Sequence, residues 1–211
     1  FLLSLRALCT KLNILLIFDE VISGFRVAFG GAAAFYDIIP DIVTYGKIMG
    51  GGLPVGAYGA SNELMSNVSP EGPVYQAGTL SGNPVAMAAG IAQLSNCLRP
   101  GFYEELSVKT LSFVQAINKH AGDSSYPFKL VSIGSIFWLS FEENKRIASA
   151  DQINPDMSNF NLLHAELLTR GIYIGPSGYE VGFISQAHSE SILAAAVIGF
   201  CDALDAIFTV K

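Results

Sequence analysis

Apolar and polar positions alternate in blocks that predict helices and strands in turn through the first part of the chain. Residues 1–12 have the apolar spacing of an amphipathic helix, and Asn13 is suited to end it. Residues 14–18 form a continuous apolar run, which is typical of a strand buried on both faces of a parallel sheet. The same reasoning predicts two more strands and three more helices, at 41–45, 55–60, 61–67, 84–98 and 101–120.

The pattern changes at residues 121–127, where polar and turn-forming residues predict a boundary between two domains. Beyond it, we expect strands and helices in mixed order, at 130–141, 158–170, 172–174, 183–187 and 189–208. Strands that alternate with helices indicate an α/β domain, and the mixed order indicates an α+β domain. We therefore predict an α/β domain at 1–121 and a smaller α+β domain at 122–211.

The composition is unusually apolar, with 51% hydrophobic residues, 14% charged residues and a mean hydropathy of +0.43. Charged residues usually make up about a quarter of a soluble domain. A membrane helix needs about 18 or more uninterrupted apolar residues, whereas the run at 192–200 lies between Glu190 and Asp202. We therefore expect no membrane association and infer that the chain hides much of its apolar surface against another part of a protein.

Charge, cysteine content and the amino end narrow the class of protein further. A net charge of −6 without a basic patch argues against nucleic-acid binding. Three separated cysteines argue against a disulfide framework and favour small buried residues in a reducing compartment. The chain starts with Phe1 and shows no signal-peptide pattern, so we expect a cytoplasmic protein that is truncated at its amino end.

Two polar residues follow predicted strands at the edge of the sheet where ligands bind. Asp19 comes directly after the run at 14–18, and Lys47 follows the strand at 41–45. Open α/β sheets bind ligands beyond the carboxyl ends of their strands. A carboxylate there can pair with a protonated pyridine nitrogen, and a lysine can form a Schiff base with a carbonyl. Taken singly, Asp19 could cap the next loop and Lys47 could be solvated, but together they favour one shared ligand.

A third candidate is the segment at 78–84, Gly-Thr-Leu-Ser-Gly-Asn-Pro, which precedes the predicted helix at 84–98. Asn83 is suited to cap that helix, and Pro84 is favoured at its first position. Backbone N–H groups, the Thr79 hydroxyl and the helix dipole would together favour a phosphate. Loops of this kind also serve as simple helix caps, so the pattern alone leaves both functions open.

These candidates lie in stretches that resemble the class III aminotransferases of fold type I. Residues 16–21, Leu-Ile-Phe-Asp-Glu-Val, and 24–26, Gly-Phe-Arg, resemble the family signature, and residues 40–56 extend it. Residues 72–84 resemble the aminomutase branch of the class in particular. The similarity continues through 170–188 and covers essentially the whole chain.

The resemblance implies a fold, cofactors and residue roles. The fold would be part of a large domain with a mostly parallel sheet and flanking helices, followed by a small α+β carboxy-terminal domain. Pyridoxal 5'-phosphate and pyridoxamine 5'-phosphate would be the cofactors, without a metal. Lys47 would form the Schiff base and move the proton, while Asp19 would hold the pyridine nitrogen and Val21 would pack on the ring. Thr79 would reach the cofactor phosphate of a neighbouring subunit, which implies a homodimer.

Three other residues have less specific interpretations. Glu180 resembles a family glutamate near the substrate amino group, but Gly178-Tyr179-Glu180 departs from the common Gln-Phe-Glu, so a surface carboxylate is the alternative. We expect His188 to have a structural role and Trp138 to belong to the core.

The implied activity is an exchange of the amino group within one small amino-aldehyde, from (S)-4-amino-5-oxopentanoate to 5-aminolevulinate. An ω- or β-amino-acid aminotransferase and an inactive, assembly-only relative are the alternatives. Family members are about twice as long, and their other half carries the phosphate cradle and a gating loop. We therefore expect the fragment alone to aggregate and not to hold the cofactor.

Overall fold

The computed structural model describes residues 1–141 and 147–209 and divides the chain into two compact units, Phe1–Tyr103 and Glu104–Lys211. Helix α5, at Phe102–Asp123, begins at the end of unit 1 and continues into unit 2. The division between units thus lies at the start of this helix, whereas the domain boundary predicted from sequence lies at its end. The predicted domain boundary, with domains at 1–121 and 122–211, stays a prediction.

Unit 1 consists of short strands and helices that follow one another along the chain. Helix α1 ends at Asn13, whose left-handed backbone (φ 53°) stops the helix as the sequence predicts. The elements are α1 (Leu2–Leu12), β1 (Ile17–Asp19), α2 (Gly31–Phe35), β2 (Ile42–Tyr45), a 3-10 helix (Lys47–Gly50), β3 (Ala57–Ala60), α3 (Asn62–Met65) and α4 (Pro84–Cys97). We refer to the 3-10 helix Lys47–Gly50 as the Lys47 turn.

The three strands of unit 1 form one sheet in the order β1-β2-β3. Strands β1 and β2 are parallel, with Asp19 opposite Thr44, and β2 and β3 are antiparallel. The sheet is therefore mixed, and with its flanking helices it confirms the predicted α/β class. Parallel pairing of β1 and β2 brings their carboxyl ends to the same edge.

The prediction that residues 14–18 form a strand buried on both faces is wrong for this chain. Strand β1 begins only at Ile17, which is 57% exposed, and Ile14 and Leu15 are exposed as well. Among the described residues, β1 pairs with β2 alone and is therefore the outermost strand on one side of the sheet. An exposed edge strand presents unpaired backbone groups, to which a further chain segment can pair.

Unit 2 has an antiparallel sheet in the order β4-β5-β6, packed with helices. Its elements are β4 (Lys129–Ile133), β5 (Ile136–Ser140), a 3-10 helix (Ala150–Gln152), α6 (Ser158–Thr169), β6 (Gly182–Phe183) and α7 (Glu190–Thr209). The central core residues are Ile117, Leu130, Leu163, Leu167, Phe200 and Leu204, all at most 1% exposed. This arrangement is the α+β architecture that the sequence predicts.

Two strands predicted in unit 2 differ from the structure. The strand at 172–174 is absent from the described residues, although Ile174 is buried in irregular structure after Gly171 (φ +74°). The strand at 183–187 is reduced to Gly182–Phe183. His188 explains the early end, because its Nδ1 accepts a hydrogen bond from the Ser185 N–H at 3.1 Å and closes a turn.

Helix α7 is the one helix, within the described residues, whose length and composition would allow it to cross a membrane. Only 17% of the most apolar 18-residue stretch of this helix is buried within the structure. A core helix of a soluble protein meets the same criterion, and Phe200, Ala203 and Leu204 of α7 are buried in unit 2. Length and composition of this helix are therefore weak support for a membrane span.

Candidate active site

The edge of the unit 1 sheet brings together Asp19 and the segment that carries Lys47. Asp19 is the last residue of β1 and lies opposite Thr44, three positions before Lys47 in the chain. Both side chains are exposed. The carboxylate and the amine thus stand at the carboxyl ends of two neighbouring parallel strands, where α/β sheets bind ligands.

Hydrogen bonds at one oxygen orient the Asp19 carboxylate. Its Oδ1 accepts from the Val21 N–H at 3.0 Å and from the Thr44 hydroxyl at 3.3 Å. The first bond is the local cap of the following loop that the sequence left open as an alternative. Capping and ligand binding are compatible here, because the same bonds that cap the loop also fix an exposed carboxylate.

Lys47 has an unusual backbone conformation. Its φ of +48° lies in the left-handed region, which costs a residue with a side chain about 1 to 2 kcal/mol. Such strain persists where surrounding structure enforces it and is frequent at functional sites. The preceding Gly46 is buried, and a Cβ added there would lie 3.3 Å from Val21 Cγ1. Val21 therefore packs directly against the residue that precedes Lys47.

Two glycines allow helix α4 to contact the backbone of the Lys47 turn. A Cβ on Gly90 of α4 would lie 2.4 Å from the Met49 carbonyl oxygen, and one on Gly51 would lie 2.5 Å from the Ala89 carbonyl oxygen. Gly51 also has a φ of +57°. This contact between α4 and the Lys47 turn was not foreseen from the sequence.

The loop at 78–82 precedes helix α4 as predicted. Asn83 caps the helix, because its Oδ1 accepts from the N–H groups of Val85 and Ala86 at 3.0 and 3.2 Å, and Pro84 is the first helical residue. Thr79 is exposed in this loop. A cavity of about 230 Å³ lies between the loop and the segment after the Lys47 turn, lined by Pro54, Val55, Gly56, Gly78, Leu80, Ser81, Gly82 and Met87.

Glu180 belongs to unit 2, whereas Asp19, Val21, Lys47 and Thr79 belong to unit 1. It is exposed, its N–H donates to the Ser177 carbonyl at 3.0 Å, and its carboxylate lies over Gly175. In the same unit, the half-buried Trp138 donates through Nε1 to the Gly178 carbonyl at 2.9 Å. The tryptophan thus anchors the loop that carries Glu180.

Sequence reasoning missed Glu20, the residue next to Asp19. It is 1% exposed, and its carboxylate accepts hydrogen bonds from Ser23, Ala32 and Ala33. The available signal was the pair of adjacent carboxylates after an apolar run. Side chains alternate between the faces of a strand, so if Asp19 points to the ligand, Glu20 must point the other way, into the protein.

A second residue that was missed from the sequence is Tyr103, which lies in α5 and contacts the loop after Glu20. The Tyr103 hydroxyl donates to the Phe25 carbonyl at 3.1 Å. Burial and the neighbouring Cys97 raise the pKa of Tyr103, and burial lowers the pKa of Arg26. Tyr103 is therefore a neutral hydrogen-bond donor that fixes this loop.

These observations fit a pyridoxal phosphate group. An oriented, exposed carboxylate suits a pyridinium nitrogen, and an exposed lysine amine at the same sheet edge suits the aldehyde. Among residues 1–141 and 147–209, no group of three or more His, Cys, Asp or Glu side chains is arranged to hold a metal ion.

Comparison with known proteins identifies the family. The profile described as "Aminotransferase class-III" matches residues 1–202. This chain belongs to the class III aminotransferase family.

Individual relatives are similar over nearly the whole chain. A protein named glutamate-1-semialdehyde 2,1-aminomutase, from Francisella tularensis subsp. holarctica (strain LVS), is 48% identical over 192 residues, which are 90% of this chain and 44% of the relative. The crystal structure of a β-phenylalanine aminotransferase from Variovorax paradoxus is 27% identical with a TM-score of 0.90, over 100% of this chain and 48% of that one. A transaminase with PLP bound is 28% identical with a TM-score of 0.84, over 98% and 47%. The chain thus spans about half the length of these proteins.

Proposed function

We propose that this chain forms part of a pyridoxal-phosphate-dependent glutamate-1-semialdehyde 2,1-aminomutase. The enzyme converts (S)-4-amino-5-oxopentanoate to 5-aminolevulinate, a cytoplasmic step of tetrapyrrole biosynthesis. The observation that carries the proposal is the 48% identity over 192 residues with the Francisella aminomutase. The position of Asp19 and Lys47 at one sheet edge independently supports the pyridoxal-phosphate part of the proposal.

The residues of the site would divide the chemistry between them. Bound pyridoxal phosphate supplies an electron sink that stabilises negative charge on the carbon losing a proton. Lys47 holds the cofactor through Nζ and then moves the proton between the two carbons that exchange the amino group. Asp19 keeps the pyridine nitrogen protonated, with its carboxylate aimed by the Val21 N–H and the Thr44 hydroxyl. Val21 would pack on one face of the ring.

Two further residues would act outside this centre. Thr79 is exposed in the loop before α4 and would reach the cofactor phosphate of a partner subunit, which makes the enzyme a homodimer. Glu180 would lie near the amino group of the substrate, and the hydrogen bond from Trp138 to Gly178 supports its loop.

The test uses a chimera that joins this chain to the portion of the Francisella aminomutase outside the matched region. With pyridoxamine phosphate and (S)-4-amino-5-oxopentanoate alone, we expect 5-aminolevulinate to form without any second amino acceptor. Lys47→Ala should leave only trace turnover, whereas Lys119→Ala, which removes a lysine from the exposed surface of α5, should leave it unchanged. Near-normal turnover of Lys47→Ala would contradict the proposal.

A β-amino-acid aminotransferase is the second candidate, and one observation favours it. The β-phenylalanine aminotransferase has a TM-score of 0.90 over the whole of this chain. Such an enzyme needs an amino donor and a separate acceptor. If the chimera formed product only when both a β-amino acid and a 2-oxo acid were present, the second candidate would replace the first. A chimera that binds cofactor but turns over neither substrate would instead indicate the inactive, assembly-only relative.

A further inference from the structure

Glu20 and Asp19 are adjacent carboxylates with opposite environments. Asp19 is exposed at the sheet edge, whereas Glu20 is 1% exposed. The Glu20 N–H donates to the Thr44 carbonyl at 2.9 Å, so the pairing of β1 with β2 continues one residue beyond Asp19. Because side chains alternate along this extension, Glu20 points into the protein when Asp19 points to the ligand edge.

The buried carboxylate joins the start of the loop that follows β1 to the first turn of α2. Its Oε2 accepts from the Ser23 hydroxyl and from the Ala32 N–H at 2.9 Å, and its Oε1 accepts from the Ala33 N–H at 2.7 Å. A Cβ on Gly31, whose φ is +66°, would lie 2.5 Å from Oε2. Only glycine therefore lets the loop return close enough for these bonds.

The closed loop also contacts the strand that leads to Lys47. A Cβ on Gly24 would lie 2.6 Å from Tyr45 Cδ1, and the Phe25 and Tyr45 rings lie 5.2 Å apart between centroids. Burial and the Glu20 charge both raise the pKa of Tyr45, so the buried charge acts at the end of β2. Val21 packs against Gly46 in the same region. A shift of this loop would move Val21. It would therefore displace both the Val21 N–H, which orients Asp19, and the Val21 side chain, which packs against Gly46 beside the Lys47 turn.

We propose that Glu20 is a positioning residue that ties the loop at 21–30 to the first turn of α2 and thereby sets the orientation of Asp19 and Val21 toward the cofactor ring. This inference rests on the proposed cofactor site. A carboxylate suits the task because all three partners donate hydrogen bonds and a carboxylate only accepts them. The amide of a glutamine would set its own N–H groups against at least one of these donors.

The experiment compares Glu20→Gln with the unchanged chimera by three readouts. They are the dissociation constant of pyridoxal phosphate, the pH at which the visible band of bound cofactor titrates, and the rate of amide exchange. Hydrogen bonds to a charged group contribute enough that we expect roughly 10- to 100-fold weaker cofactor binding. We also expect a changed titration pH, because a misplaced Asp19 no longer fixes the charge of the pyridine nitrogen. Amide exchange at Ala32 and Ala33, measured without cofactor, should accelerate.

The matched control is Asp205→Asn, which also replaces a hydrogen-bonded carboxylate by an amide but lies in unit 2, with His120 and Tyr126 as its partners. It should leave the cofactor affinity and the titration pH unchanged. Wild-type affinity and titration in Glu20→Gln would overturn the inference, and so would a titration shift of the same size in Asp205→Asn.

Two outcomes separate this inference from the proposed function. If the unchanged chimera binds no pyridoxal phosphate, the proposed function fails together with the inference. If the chimera binds pyridoxal phosphate normally and Glu20→Gln does not fold, the Ser23→Ala variant tests the inference instead. This substitution removes one hydrogen-bond donor to Glu20 and keeps the Glu20 carboxylate. We then expect a several-fold loss of affinity with a smaller titration shift, and no change in either would overturn the inference.

Discussion

Replacing Gly90 by alanine tests whether helix α4 supports the Lys47 turn through backbone contact. In a helix interior this substitution ordinarily stabilises by about 1 kcal/mol. Here the new Cβ would lie 2.4 Å from the Met49 carbonyl oxygen, so either α4 or the turn must move by about 1 Å to reach van der Waals contact. Overpacking costs about 1 to 3 kcal/mol, and a backbone obstacle favours the upper end. The net expectation is a loss of about 2 kcal/mol in the free energy of unfolding.

The assay is thermal unfolding of the chimera, followed by circular dichroism, together with cofactor affinity. Gly122→Ala in α5 is the matched control, because a Cβ there would meet nothing within 4 Å. We expect Gly122→Ala to raise the unfolding temperature, and Gly90→Ala to lower it and to weaken cofactor binding. If both variants raised the unfolding temperature and bound the cofactor equally well, the argument that α4 holds the Lys47 turn would be refuted.

Three further predictions concern a helix cap, an acid-sensitive carboxylate and the exposed edge strand. Asn83→Ala removes the acceptor for two N–H groups of α4 and should cost about 1 kcal/mol in a denaturant titration, with Asn83→Asp close to wild type. Burial would raise the pKa of Asp205, but hydrogen bonds from His120 and Tyr126 outweigh it and hold that pKa below its usual value. Its contribution is therefore present above the unfolded pKa of about 4 and is lost as the pH falls through the folded pKa, so Asp205→Asn should lose stability at pH 7 and converge with wild type once the pH lies below the folded pKa. Ile17→Lys places a charge on the 57% exposed edge position and should reduce self-association of the 211-residue chain in light scattering, whereas Lys129→Arg, at an exposed position of β4, should not.

Local signals explain which parts of the fold could be predicted from the sequence. Asn13 and Asn83 act through their own backbone or side chain, so the helix ends that they mark are found where expected. The strand ends at Asp19 and Tyr45 were likewise visible as the points where apolar runs stop. Their parallel pairing then places Asp19 and Lys47 at one edge.

The remaining features depend on residues that are distant in sequence. The burial of Glu20 requires the return of the chain at Ala32 and Ala33, and the contact of Gly90 requires the position of the Lys47 turn. The predicted strand at 172–174 has the right composition but no pairing partner in the described part of the chain. Pairing and packing of this kind depend on residues far apart in the chain. The adjacent carboxylates Asp19 and Glu20 were a local sign of opposite environments, but they do not indicate which residues surround Glu20.

The most direct test of the account is to locate the covalent attachment of pyridoxal phosphate. The chimera is incubated with the cofactor, reduced with borohydride and digested, and the peptides are analysed by mass spectrometry. We predict that the pyridoxyl group is found on Lys47 and that Asp19→Asn lowers the occupancy without moving the site. A label on any other lysine, or no label in a folded chimera, would contradict the assignment of Lys47 and Asp19 as the centre of the site.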